Sequence, residues 1–177
     1  MKPSPKQITQ TGLFAALIAV CAQIAIPMPG GVPMTLQVWA ILLTALVLGA
    51  KSGGLAALIY VLMGSVGVPV FAQFTGGMGI VLGPTGGFIL SFPLMAIIVG
   101  AGAKKGGRVS LAVALFAALS VNFAAGMLHF AFVMQSTVTT AFLASVAPFL
   151  PIAGLQMLVF VIWGPNIKTL LARAVRT

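Results

Sequence analysis

The sequence predicts an all-α membrane protein: one integral domain over residues 1–177, with six transmembrane helices and both termini on the cytoplasmic side. Three observations carry that prediction. Of the 177 residues, 60% are hydrophobic and 5% charged, and the mean hydropathy is +1.20. A soluble domain of this size needs more polar surface than that. The apolar residues fall into six long runs, and a spanning helix needs roughly 20 of them. Finally, all nine charged side chains are cations, and they occupy alternate gaps between the runs. Lys2 and Lys6 precede run one, Lys51 lies between runs two and three, Lys104, Lys105 and Arg108 between four and five, and Lys168, Arg173 and Arg176 after six. Cytoplasmic loops are enriched in Lys and Arg, so an even number of spans with both ends inside fits every cation.

Span one is expected from about Thr9 to Ile26, ended by the turn signal Pro27-Met28-Pro29-Gly30-Gly31. Span two runs from about Pro33, a residue tolerated in a first helical turn, to Ala50. Lys51-Ser52-Gly53-Gly54 reads as a tight inner turn, and span three follows from Leu55 to about Phe71. The stretch Ala72 to Gly87 is the least helix-like, with six glycines and a proline in sixteen residues. Span four is expected from about Phe88 to Ala103, and span five from Val109 to about Val133, with Gln135-Ser136-Thr137 outside. Pro148 and Pro151 break the last apolar stretch, Ala141 to Trp163, so span six should begin near Pro148 and continue past Trp163. No internal repeat supports an inverted-repeat carrier.

Several function classes are excluded by what is missing. The chain has no Asp or Glu, the carboxylates on which proton- and sodium-coupled carriers usually rely and hard cations require. One His and one Cys cannot form a zinc cage. His129 has no carboxylate to orient it as a base, and no phosphate-binding loop occurs. We therefore expect no enzyme activity, metal or cofactor, and uphill transport would need energy from another subunit. The cations flank membrane boundaries, which favours lipid headgroups or an acidic partner over nucleic acid. Cys21 reads as a small buried residue in a retained first helix.

Candidate functional residues follow from placement. Gly12, Ala15, Ala16, Ala19 and Ala22 form a small-residue stripe on span one, suited either to packing inside the bundle or to docking on a partner membrane subunit. Irregular backbone at membrane depth is tolerated where it lines a cavity or is buried in protein. Residues 72–87 therefore read as a pocket wall or lid, with a plain surface loop as the alternative. Gln73, Phe74, Thr75 and Thr85 of this stretch offer amide, hydroxyl and aromatic groups to a small polar-headed ligand, and Gly76 is counted with them as a substrate-binding position. Gln37, one turn into span two, Asn122 in span five and Gln156 in span six could serve the pocket or bond a neighbouring helix. His129 reads as a packing residue or a donor to a ligand carboxylate, and Trp39 and Trp163 as interfacial anchors on opposite sides.

The run Pro29-Gly30-Gly31-Val32-Pro33-Met34-Thr35-Leu36-Gln37 resembles the entry to span two in the BioY family. So do Gly64-Ser65-Val66-Gly67-Val68-Pro69-Val70-Phe71-Ala72, Thr75-Gly76-Gly77 and Gly83-Pro84-Thr85-Gly86-Gly87-Phe88. The resemblance covers about residues 8–103. It implies the six-helix fold of a biotin-specific substrate-binding (S) component of an energy-coupling factor (ECF) transporter in the cell membrane, with a vitamin pocket near the outer face. It also implies a transmembrane coupling protein and two ATPases as partners, with Ala15 and Ala19 facing the coupling protein, and a body that topples in the membrane to carry its ligand inward. One departure stands out. Where the family has a Pro-Gly-Asp motif followed by a Lys in helix six, this chain has Pro151-Ile152-Ala153-Gly154-Leu155-Gln156. Ala153 replaces the acid and Gln156 the cation. The resemblance therefore implies either biotin held differently or another vitamin-like ligand such as lipoate. A non-transporting membrane scaffold and an intramembrane enzyme using His129 are the readings from other classes.

Overall fold

The computed structural model describes residues 4–174, with side chains described as far as residue 167. Lys2 and Arg176 lie outside the described residues, as do the side chains of Lys168 and Arg173.

Helix α1 (Pro5–Gln23) starts on a capping box: the Ser4 hydroxyl accepts from the Gln7 backbone N–H, the Gln7 side chain accepts from the Ser4 N–H, and Pro5 occupies the first turn. It stops before a two-residue antiparallel pair, β1 (Ala25–Ile26) with β2 (Met34–Thr35), in which Ala25 faces Thr35 and Ile26 faces Met34. This small ribbon folds the Pro-Gly loop back on itself. Pro33 consequently lies in the loop and not in a first helical turn, and Gln37 is the first residue of its helix.

Helix α2 (Gln37–Ser65) is a hairpin of two limbs. Gly49 breaks it, with φ 75° and ψ −177°, a conformation open to glycine because it lacks a Cβ. Residues 37–48 and 50–65 then run antiparallel: a Cβ on Gly53 would sit 3.0 Å from the Ala45 Cα. The reversal thus falls at Gly49–Ala50, just before the expected turn at Lys51–Gly54, and the second limb ends at Ser65, short of Phe71. After it comes a 3-10 turn (Ala72–Phe74) and a short helix α3 (Met78–Val81), so the glycine-rich stretch is compact, folded chain.

Helix α4 (Gly86–Lys105) and helix α5 (Arg108–Val133) form the second hairpin, turning at Gly106 and Gly107, both with positive φ. Lys104 and Lys105 close α4, where cations complement the helix dipole. Helix α6 (Val138–Ser145) is a separate element ahead of the last span; Thr137 caps it by accepting the Thr140 N–H. Pro148 sits in a 3-10 turn, and helix α7 begins at Leu150 and runs to Ala174. Four stretches of the described residues are long and apolar enough to cross a membrane: 37–65, 86–105, 108–133 and 138–167.

The core lies where α2, α4, α5 and α7 meet, around Leu42, Leu46, Tyr60, Met95, Val99 and Leu115. Lipid tails are as apolar as these side chains, so close contact between helices drives their association, and small residues mark the crossings. A Cβ on Gly87 would overlap the Ala125 carbonyl, and one on Gly100 the backbone of Gly49 and Ala50. The second contact brings the α2 turn, with Lys51, to the end of α4 that carries Lys104 and Lys105. The cations of α2, α4 and α5 thus gather at one end of the bundle.

The stripe on α1 is divided. Ala15 and Ala22 are buried in the bundle and Ala19 packs against its core, whereas Gly12 and Ala16 are exposed. Ala15 is therefore consumed by internal packing and is not presented to a partner.

Candidate functional site

At the end opposite the cations, a cavity of about 290 Å³ opens among the loops. Small-molecule sites range from roughly 300 to 1,000 Å³, so this one suits a compact ligand.

Its walls come from five parts of the chain. The ribbon contributes Gly31 to Thr35; the first limb of α2 gives Gln37 and Val38. The turn at 71–75 and helix α3 form a roof that includes Gln73, Thr75 and Gly79, continued by Gly83-Pro84-Thr85. Helices α4 and α5 supply Phe88, Ile89, Phe92, Leu119, Asn122 and Phe123, and the chain around the start of α7 supplies Phe149, Ile152 and Gln156. Five phenylalanines, at 71, 88, 92, 123 and 149, contribute aromatic surface to predominantly apolar walls.

The roof is pinned at three points. Gln23, at the end of α1, donates from Nε2 to the Val70 carbonyl at 3.1 Å and accepts the Phe74 N–H on Oε1 at 2.8 Å. The Phe71 N–H donates to the Thr75 carbonyl at 2.9 Å, closing a tight turn in which Gln73 and Phe74 both take positive φ, at 59° and 55°. On the far side His129 Nε2 lies 3.1 Å from the Gly83 carbonyl. His129 thus holds the roof to α5 and is not a wall of the cavity.

The polar wall groups are constrained by their other bonds. Asn122 is buried, and its Nδ2 donates to the Phe88 carbonyl at 3.0 Å and to Ser91 Oγ at 2.7 Å. A carbonyl can only accept, so this pair fixes the amide orientation and leaves Oδ1 as the group Asn122 offers the cavity. Gln37 donates from Nε2 to Tyr60 Oη at 2.7 Å. Thr75 donates its hydroxyl to the Ala72 carbonyl at 2.8 Å. Gln156 shares a face of α7 with Ala153 and Phe160, all three buried, and it bonds to no described residue.

Of the residues singled out from the sequence, Gln37, Gln73, Thr75, Thr85, Asn122 and Gln156 converge on this one cavity. Phe74 and Gly76 do not. The Phe74 ring is 73% exposed, because the left-handed turn at 73–74 swings it outward. Gly76 packs against the Val68 carbonyl. Five phenylalanines that sequence reasoning missed line the cavity instead; Phe88 and Phe92, one helical turn apart beside Gly-Pro-Thr-Gly-Gly, were the available signal. The half-buried Trp39 meets the Phe160 ring at a tilt of 39°, with centroids 5.8 Å apart. Trp163 is exposed. Among the described residues no cluster of His and Cys could hold a metal.

The described residues thus form a helical body with a roofed, charge-free hollow at one end and the cations of α2, α4 and α5 at the other. It superposes on the crystal structure of the S-component for biotin from an ECF-type ABC transporter with a TM-score of 0.82, covering 93% of this chain and 91% of that one at 20% identity. The chain belongs to the BioY family, whose model matches residues 1–173. The biotin transporter BioY of Rhodobacter capsulatus is 34% identical over 160 residues, 82% of this chain and 84% of that protein. The biotin transporter BioY of Thermotoga maritima is 50% identical over 100 residues, 56% of this chain and 59% of that one. The probable biotin transporter BioY of Pyrococcus horikoshii is 49% identical over 100 residues, 56% and 61% respectively. The chain thus matches about three fifths of the length of the last two relatives.

Proposed function

We propose that this chain is the substrate-binding S component of an ECF-type importer in the cell membrane. It takes biotin from the outside and delivers it inward together with a transmembrane coupling protein and two ATPases. It is a transport subunit and catalyses no reaction.

The observation that carries this reading is the placement of the cavity. It lies at the end of the bundle away from Lys51, Lys104, Lys105 and Arg108. With the cationic end cytoplasmic, the cavity faces outward, the six helical passes put both termini inside, and the ligand is collected from the exterior. The hollow suits biotin in character: phenylalanine rings for the faces of its fused bicycle, and Asn122 Oδ1 as an acceptor for a ureido N–H. The chain has no phosphate-binding loop, so energy must come from partner ATPases. Gln37, Gln73, Thr75, Thr85, Asn122 and Gln156 are the polar contacts in this reading, and Gly12 and Ala16 the exposed part of the α1 face.

A thermal-shift screen of the purified protein against a vitamin panel tests it. Stabilisation should be largest with biotin and should grow with its concentration. Stabilisation by lipoate alone would replace the ligand and keep the class. Uniform failure to stabilise a folded sample would point to a scaffold instead.

A further inference from the structure

The cavity contains no charge. None of its lining residues is Lys, Arg, His, Asp or Glu, and no acidic residue exists anywhere in the chain. The cations of α2, α4 and α5 stand at the far end of the bundle; α4 alone, with 20 residues, separates the two ends by about 30 Å. An ionised carboxylate buried in such a hollow would have no countercharge.

Gln156 is the polar side chain best placed to meet a ligand's tail. It is 2% exposed, lines the cavity, and makes no hydrogen bond with any described residue. Its amide is also not sealed in protein: among the described residues, Ser136 Oγ is the one fully buried side-chain polar atom without a partner. Asn122 has spent both its N–H donors, on Phe88 and Ser91, and Gln37 has spent one of its two on Tyr60. Gln156 Nε2 is therefore the buried amide nitrogen whose two N–H groups are both left to a ligand oxygen. Beside it sits Oε1, which can only accept. A primary carboxamide matches both atoms, accepting from Nε2 and donating to Oε1. A carboxylate satisfies Nε2 but sets a second negative oxygen toward Oε1.

We infer, resting on the biotin reading above, that Gln156 sets the charge selectivity of the cavity. The protein takes a ligand whose tail ends in a neutral amide at least as tightly as the free acid.

The experiment is competition against radiolabelled biotin on the purified full-length protein, with unlabelled biotin and biotinamide as competitors, repeated on Gln156→Lys. We expect the amide to compete at equal or lower concentration than the acid in the wild type, and Gln156→Lys to shift the ratio at least tenfold toward the acid. A wild-type preference of tenfold or more for the acid overturns the inference. So does an unchanged ratio in a folded Gln156→Lys protein. The wild-type comparison decides the first point even where the variant does not fold. Absence of biotin and biotinamide binding to folded protein is a different failure: it overturns the biotin reading, and this inference with it.

Discussion

Tyr60 Oη accepts a hydrogen bond from Gln37 Nε2 at 2.7 Å, although the two lie 23 residues apart on opposite limbs of α2. In a straight helix those residues would be about 35 Å apart. The bond thus ties together the two limbs of α2 near their open ends, beneath the cavity. Tyr60 is fully buried, and its ring meets Phe71 edge-on at 5.6 Å. Tyr60→Phe keeps that ring contact and strips the Gln37 amide of its acceptor. Leaving a buried donor unsatisfied costs about 1–3 kcal/mol, so the thermal midpoint of the purified variant should fall. An unchanged midpoint would show that the bond does not hold the limbs.

The α2 turn makes a second prediction. Gly100→Leu drives a side chain into the backbone of Gly49 and Ala50, which cannot yield, so this variant should fail to give folded protein. Ala15→Leu overfills a buried site and should cost roughly 1–3 kcal/mol of stability. Gly12→Leu, on the same helix with open space around it, should leave the isolated protein as stable as the wild type. Equal stability of Ala15→Leu and Gly12→Leu in detergent melts would contradict this division of the α1 stripe.

The phenylalanines separate wall from surface. Phe149 lines the cavity, whereas Phe74 is exposed and absent from it. Phe149→Ala should weaken biotin binding by about ten-fold or more, in line with the loss of roughly 1.5–3 kcal/mol on removing a buried phenyl group. Phe74→Ala should leave affinity within about two-fold. Equilibrium binding to each purified variant checks both, and a larger loss from Phe74→Ala would make that residue part of the site.

These contrasts show where the sequence was legible. The hydropathy runs located α4 and α5 to within a few residues, because Lys104, Lys105 and Arg108 punctuate them. The Gly-Pro-Thr-Gly-Gly run and the isolated amides pointed to the cavity, because a polar group or irregular backbone at membrane depth needs a reason. Phenylalanine carries no such signal: in an apolar run a ring facing lipid reads the same as one facing a ligand. The outward swing of Phe74 depends on positive φ at Gln73 and Phe74, which neither residue type announces. The β1–β2 pair is two residues per strand, too short for alternation to show, and without it Pro33 looks like a helix start.

Gln23 offers a test of the roof. Its side chain bonds the Val70 carbonyl and the Phe74 N–H, and so links the end of α1 to the turn that carries Gln73. Gln23→Ala should free this turn. Hydrogen exchange at residues 70–75 should rise, and biotin should dissociate several-fold faster. A variant with both properties unchanged would show that the Phe71–Thr75 turn stands without the latch.

The central claim is that the hollow beneath residues 72–87 is the ligand site of a subunit that binds by itself and borrows its energy. The most direct test is saturation binding of labelled biotin to the purified chain without coupling protein or ATPases, alongside Gly79→Trp. Gly79 lines the roof with open space around it, so an indole there fills the hollow without disturbing the helices. The account predicts one saturable site in the wild type and its loss in folded Gly79→Trp. Biotin binding that survives the blocked cavity, or folded wild-type protein that binds no biotin, would contradict it.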